Sequence, residues 1–233
     1  MIILISVLTL ELLREMKMKT NEKLQRSVQN AIKWEPLLHA AEIGVSVKDG
    51  VVTLSGIVDS YAKKLEAEEA AKKVLGVRAV AQNIKVEIND VWNKNDTEIA
   101  TTVLNALKLS LDISSENINI EVEKGYVTLN GELPWYYLKE LTEKTVSQLL
   151  SVNGVANKIV IVPNIKNFFE EEAIKPYLSE NWLLANCDIN ISITKSQATL
   201  TGVVKSLYQK DLAERIVWNS PGVSSVNNNI HIL

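Results

Sequence analysis

The segment VKDGVVTLSG, Val47 to Gly56, alternates apolar and polar residues on both sides of an Asp-Gly pair and ends on a glycine. The design returns as VEKGYVTLNG, Val122 to Gly131, and as ITKSQATLTG, Ile193 to Gly202. A two-residue turn between alternating runs predicts a β-hairpin. Three such hairpins at near-constant spacing predict a chain built by repetition, and any fold assigned to it must account for all three.

A shift of 75 residues carries the first hairpin onto the second, and a further 71 carries it onto the third. Ile43, Val45 and Val47 fall on Ile118, Ile120 and Val122, then on Ile189, Ile191 and Ile193. Val52, Leu54, Gly56 and Val58 fall on Val127, Leu129, Gly131 and Leu133, then on Ala198, Leu200, Gly202 and Val204. The residues between them are polar: Thr53 and Ser55, Thr128 and Asn130, Thr199 and Thr201. Period two with one apolar side predicts a half-buried antiparallel pair.

The repeat extends on both sides of the hairpin. Leu24, Val28 and Ile32 map to Ile99, Val103 and Leu107, and in the third copy to Ile174 and Leu178 with Glu170 at the first place. A spacing of four puts these side chains on one helical stripe. After the hairpin, Ser60 to Leu75, Trp135 to Leu150 and Ser206 to Ser220 read as a second helix. Gly76 and Gly222 suit helix C-terminal caps, with Ser151 at the equivalent place in the second copy. A closing strand follows: Val80, Ile84 and Val86 match Val155, Ile159 and Ile161, then Val226, Ile230 and Ile232.

The expected fold class is therefore α+β, three tandem α-β-β-α-β units, each a three-stranded mixed sheet with two helices on one face and an open Thr/Ser/Asn face. Residues 1–18 form an apolar N-terminal extension, and the units span 19–90, 94–163 and 167–233. Glycines at Gly50 and Gly125 serve the turns, and Gly56, Gly131 and Gly202 lie inward near a strand end. A missing side chain there is expected to let the following helix approach the sheet closely. Short connectors, Asn89 to Asn95 and Pro163 to Asn167, predict units held close together. The third copy departs most: Pro176 predicts that its first helix starts or kinks there, and Lys195-Ser196 replaces the Asp-Gly turn.

The run from Ile2 to Leu10 has the length of a signal-peptide core, but no Lys or Arg precedes it and no small-x-small site follows. It is too short to span a bilayer. A start codon at Met16 or Met18, a packed or membrane-touching helix, and a degenerate signal peptide all remain open. The missing leader features favour a cytoplasmic location over a periplasmic one.

Little in the sequence speaks for catalysis. Net charge is −3, and no unit gathers a basic platform for phosphate backbones, so a nucleic-acid partner is not expected. His39 and His231 occupy unrelated positions, and the single Cys187 aligns with Ala41 and Glu116, so neither residue type forms a metal or nucleophile constellation. The glycines offer no phosphate-binding loop, no nucleophile elbow and no GxxG clamp. No cofactor, metal or catalytic residue is expected. Glu170-Glu171-Glu172 reads as a solvated helix start. Trp135, Tyr136 and Tyr137, after Pro134, are the candidate patch for lipid headgroups or a partner protein, with packing between copies as the other reading. Trp92 and Phe168-Phe169 sit at the connectors, where packing between copies accounts for them. Trp34, Trp182 and Trp218 are expected in the core or at its edge.

The run Gly50-Val51-Val52-Thr53-Leu54-Ser55-Gly56, followed by Gly76-Val77-Arg78-Ala79-Val80-Ala81-Gln82-Asn83-Ile84, resembles the BON domain (bacterial OsmY and nodulation). The second copy keeps Gly125, Leu129, Gly131, Val152, Val155 and Ile159, with Ser151 and Lys158 where glycine and asparagine are usual. The third keeps Leu200, Gly202, Gly222, Val223, Val226, Asn229 and Ile230. The resemblance implies a non-enzymatic, envelope-associated or stress-related protein that acts on phospholipid surfaces or on client proteins. A scaffold whose repeats mediate self-association is the alternative. Such proteins are commonly periplasmic or lipid-anchored, and this chain has no lipobox cysteine, since Cys187 lies deep in the third unit.

Overall fold

A computed structural model describes residues 20–38, 43–89, 94–110, 118–163, 171–194 and 196–233. The extension at 1–18, His39, Trp92, Phe168-Phe169, Glu170 and Lys195 lie outside the described residues. In the first unit, residues 20–33 form α1. It is followed by β1 (Ile43–Lys48), β2 (Val51–Val58), α2 (Tyr61–Lys72) and β3 (Ala79–Val86). The second unit contains α3 (Asp96–Ser110), β4 (Ile118–Glu123), β5 (Tyr126–Leu133), α4 (Tyr136–Ser147), β6 (Gly154–Asn157) and β7 (Val160–Ile161). The third contains α5 (Glu171–Ser179), β8 (Asp188–Thr194), β9 (Gln197–Val204), α6 (Leu207–Trp218) and β10 (Ser225–Ile232). The chain is thus α+β, three tandem copies of one small mixed-sheet domain.

In each unit the strand after the hairpin turn is central. β2 pairs antiparallel with β1, Val45 opposite Leu54, and parallel with β3, Val52 opposite Val80. β5 and β9 do the same with their neighbours. The turn residues Asp49 and Gly50 have φ of 50° and 80°, and Lys124 and Gly125 have 52° and 77°. Positive φ at both central residues is the I′ turn, whose twist matches that of the flanking strands. It fixes a register that turns Val52, Leu54 and Val58 inward to burial and leaves Ser55 outward. α1 contributes Val28 and Ile32 to this core, and α2 contributes Ala67, Ala70 and Ala71. In the second unit the closing strand is split into β6 and β7 around Lys158, although the Lys158 amide still donates to Leu129 O at 2.8 Å.

Three expectations need correction. Gly202 has φ of 130°, and a Cβ there would run into the backbone of Asp188 and Ile189 on the neighbouring strand, not into the following helix. Gly56 and Gly131 share the conformation, with φ of 136° and 140°. The column is set by backbone conformation and strand pairing. Pro176 does not start α5, which begins five residues earlier at Glu171. Trp34 and Trp182 are out in solvent. Trp34 lies two residues past the stripe residue Ile32, about 200° round the helix, so it points away from the core.

The units close on one another head to tail. Tyr61, Tyr136 and Leu207 are equivalent first residues of α2, α4 and α6. Tyr61 packs against the second core, and its hydroxyl shares a hydrogen bond with the backbone of Val155. Tyr136 stacks on Trp218 of the third unit, ring centroids 5.1 Å apart and planes 11° from parallel. Leu207 packs against the first core. The contacts run from unit one to two, two to three, and three to one. A heterologous contact that closes on itself after three steps is a ring with approximate threefold symmetry.

Replacing Gly202 by Ala is expected to cost about 1–3 kcal/mol, because an L-residue is forced into a glycine region beside unyielding backbone. Each kcal/mol lowers Tm by roughly 2–4 °C in a chain of this size. Differential scanning calorimetry checks it, with the exposed Thr201→Ala as a control expected within about 0.5 kcal/mol of the parent.

Candidate functional site

The second helix of each unit is fastened to its closing strand by a polar clasp that alternation alone does not reveal. Lys64 Nζ donates to Ile84 O at 2.9 Å, Lys139 Nζ to Ile159 O at 2.7 Å and Lys210 Nζ to Ile230 O at 2.8 Å. In return the side-chain amides of Gln82, Asn157 and Asn228 donate to the carbonyls of those same lysines, at 3.3, 3.0 and 3.1 Å. Their side-chain oxygens accept from the amides of Ile84, Ile159 and Ile230. These pairs give partners to the amide and carbonyl of Ile84, Ile159 and Ile230 on the closing strands. The sequence signal existed, since lysine stands at all three equivalent helix positions and a carboxamide at all three strand positions. The clasp fixes where α2, α4 and α6 begin, and so aims their first residues.

The aromatic segment starts α4. Trp135 caps the helix from an extended conformation, φ −135° and ψ 138°, without a side-chain hydrogen bond. Its indole is half-buried against the second core, and Tyr136 is half-buried in the seam with Trp218. Tyr137 is 53% exposed and lines a groove between α2 and α4 of about 640 Å³, with Leu65, Glu66 and Leu141 among its walls. Of the three rings that the sequence groups together, the structure therefore leaves one facing solvent.

Charges line the seams around these rings. Lys72 of α2 lies 3.3 Å from Asp211 of α6 and 3.1 Å from Glu68, and Arg215 of α6 lies 4.0 Å from Glu140 of α4. Burial works against the Lys72 ammonium, but Asp211 and Glu68 outweigh it and hold it above the ordinary lysine value. Burial pushes the Glu140 carboxyl up, against the pull of Arg215. A cleft of about 350 Å³ sits among Lys72, Tyr136, Glu140, Asp211, Glu214 and Arg215. A second cleft, of about 620 Å³, lies where the hairpin turn at Asp49-Gly50, Gly76 and Arg78 meet Leu233. Among the described residues no three His, Cys, Asp or Glu side chains stand where they could share a metal ion. His231 is exposed on β10, and the half-buried Cys187 thiol is pushed up by burial, away from the thiolate a nucleophile needs.

Burial, then the charges of Glu140 and Glu214, raise the Tyr136 phenol to about 12, and burial raises Tyr61 as well. The folded state thus holds these protons more tightly than the unfolded chain, and the resulting stability is complete below pH of about 10. It is lost as pH climbs from there to about 12. Tm should fall through that window, and Tyr136→Phe should flatten the fall. An absorbance titration at the tyrosinate band should show two phenols ionising later than the others.

The profile of the BON domain matches residues 20–88, 95–163 and 171–233. The chain is 29% identical over 126 residues to osmotically-inducible protein Y of Escherichia coli strain K12, a match covering 52% of this chain and 63% of that relative's length. Among solved structures, CdsD, a structural protein of the type III secretion system of Chlamydia trachomatis, aligns at 18% identity and a TM-score of 0.23, over 91% of this chain and 92% of that one. Its separately solved C-terminal domain aligns at 15% identity and a TM-score of 0.23, over 89% and 96%. Three family matches, each on one α-β-β-α-β unit, cover most of the sequence: the chain belongs to the BON domain family and carries the domain in triplicate.

Proposed function

We propose that this protein is a non-enzymatic, stress-associated binding protein that acts peripherally at phospholipid membrane surfaces. The observation that carries the reading is the set of large aromatic side chains left in solvent although every unit has a complete core. Trp34, Trp182, Tyr177, Tyr126 and Tyr137 are the exposed rings. Amphipathic rings favour the headgroup level of a bilayer. No helix among the described residues is long and apolar enough to cross a membrane. With net charge −3 the attraction comes from ring insertion and not from anionic headgroups.

A second reading has its own observation. Each sheet ends on a strand with no further strand beside it among the described residues, β1 in the first unit and β8 in the third, whereas the opposite edges, β3 and β10, are partly taken up by the lysine clasp at Ile84 and Ile230. Such edges accept an extended segment of a client protein by strand addition.

Vesicle flotation separates the two. The protein is expected to float with phosphatidylcholine vesicles as well as with vesicles containing phosphatidylglycerol, and to lose little when salt is raised. Protein that stays at the bottom of both gradients yet suppresses aggregation of an unfolded client sinks the lipid reading in favour of the client one. If it does neither, a self-associating scaffold remains.

A further inference from the structure

Two of the three seams in the ring are crossed by an ion pair, and the third is not. The offsets that relate the units make Leu65, Glu140 and Asp211 equivalent, and likewise Lys72, Ser147 and Trp218. Between units three and one Asp211 meets Lys72, and between units two and three Glu140 meets Arg215. Between units one and two the acid is replaced by the half-buried Leu65, and the buried Ser147 stands in the place of Lys72. Among the described residues no ion pair joins α2 to α4. Leu65 and Ser147 instead line the groove of about 640 Å³ that opens between these helices.

The walls of the groove are two helical stripes. Ala62, Leu65 and Glu69 follow one another at spacings of three and four on α2, as do Tyr137, Leu141 and Lys144 on α4. Each stripe runs for about two turns, roughly 11 Å. The helix backbones are bonded internally, so an extended segment lying here would find no main-chain partners for its own amides and carbonyls. A helix brings those bonds with it, and its side chains repeat at the period of the walls. Charge selects the sign of the occupant. Glu66, Glu69, Glu140 and Glu143 face the groove against Lys144 and Arg215, and Arg215 already answers Glu140 at 4.0 Å. Lys73 beside Glu66 is drawn to Glu35 at 3.6 Å, and burial with the charge of Glu35 holds the Glu66 carboxyl above its ordinary value. Walls of this sign repel lipid phosphates and favour lysine or arginine.

We propose that the α2–α4 groove docks a cationic amphipathic helix of a partner protein. The apolar stripe of that helix lies on Leu65, Tyr137 and Leu141, and its lysines or arginines meet Glu66, Glu69 and Glu143. The exposed Tyr137 and Leu141 thereby gain the cover that no other part of the ring gives them among the described residues. This site stands apart from the lipid reading, which keeps the exposed rings outside the groove.

Fluorescence anisotropy tests it with a labelled peptide of about 18 residues, leucine and lysine set at helical spacing. The parent protein is expected to bind this peptide with a micromolar Kd that weakens as salt rises. The same pattern written with glutamate, and the lysine peptide broken by a central proline, should bind at least roughly tenfold more weakly. Tyr137→Ser/Leu141→Ser and Glu66→Gln/Glu69→Gln are each expected to weaken binding roughly tenfold, with circular dichroism as in the parent. Glu121→Gln/Glu123→Gln removes the same charge from exposed positions on β4 and should bind as the parent does. If that control weakens binding as much as the groove pairs do, the peptide reads overall charge and the groove is wrong. A parent that does not bind, or that binds the proline-broken peptide equally well, also overturns the proposal. So does a dimer in light scattering that Tyr137→Ser/Leu141→Ser dissolves, since the occupant is then a second copy. If that variant keeps the peptide but no longer floats with phosphatidylcholine vesicles, the groove belongs to the lipid contact. A parent that binds the peptide and never floats removes the lipid reading and leaves the groove standing.

Discussion

Every unit depends on the register of its central strand. β2, β5 and β9 each pair on both sides, and the same alternate residues that face the helices also fix the order of the sheet. A slip of one residue would put Thr53 and Ser55 in the core and Val52 and Leu54 in water. The I′ turn at Asp49-Gly50 guards against that slip from one end of the hairpin, and the glycine at Gly56 guards it from the other. Helix packing, the polar clasp and the ring all follow from where this strand sets the start of the second helix.

How much of this the sequence discloses depends on which distances matter. The hairpins, helical stripes and closing strands are legible because they are periodic and occur three times. The clasp could have been read as well, since Lys64, Lys139 and Lys210 keep residue type at strict spacing. The reason for the glycine column could not, because it concerns the backbone of a strand more than a dozen residues away in sequence, as Gly202 against Asp188 shows. Trp34 differs for a simpler reason: its aromatic character suggests the core, while its angle from Ile32 points it outward. Nothing local tells that Trp218, in the next unit of the chain, closes over Tyr136.

The three seams keep one geometry and share little chemistry. One is a tyrosine beside a strand backbone, one a Tyr–Trp stack, one a leucine entering an aliphatic core. Identical subunits would be obliged to make identical contacts, whereas tandem copies in one chain are free to diverge residue by residue so long as each first helical side chain still fills the next unit's pocket. Overlapping cores are the result: Tyr61 and Leu207 each count among the residues packed on a core that is not their own.

One seam has a harder task than the others. Units one and two, and units two and three, are neighbours along the chain, so their contacts form at the high effective concentration a short connector provides. Units one and three have no such connector, and their contact spans the longest separation along the chain. It is also where the Gly76 amide donates to Lys205 O at 2.9 Å and where Lys72 meets Asp211 at 3.3 Å, with Leu207 half-buried alongside. Ion pairs at half-exposed positions contribute little by themselves, so the weight falls on the apolar contact and the directed main-chain bond. That bond needs the Gly76 amide turned outward, and the left-handed cap at φ 89° is what turns it. A helix-capping glycine thus also serves as the point at which the first unit receives the last.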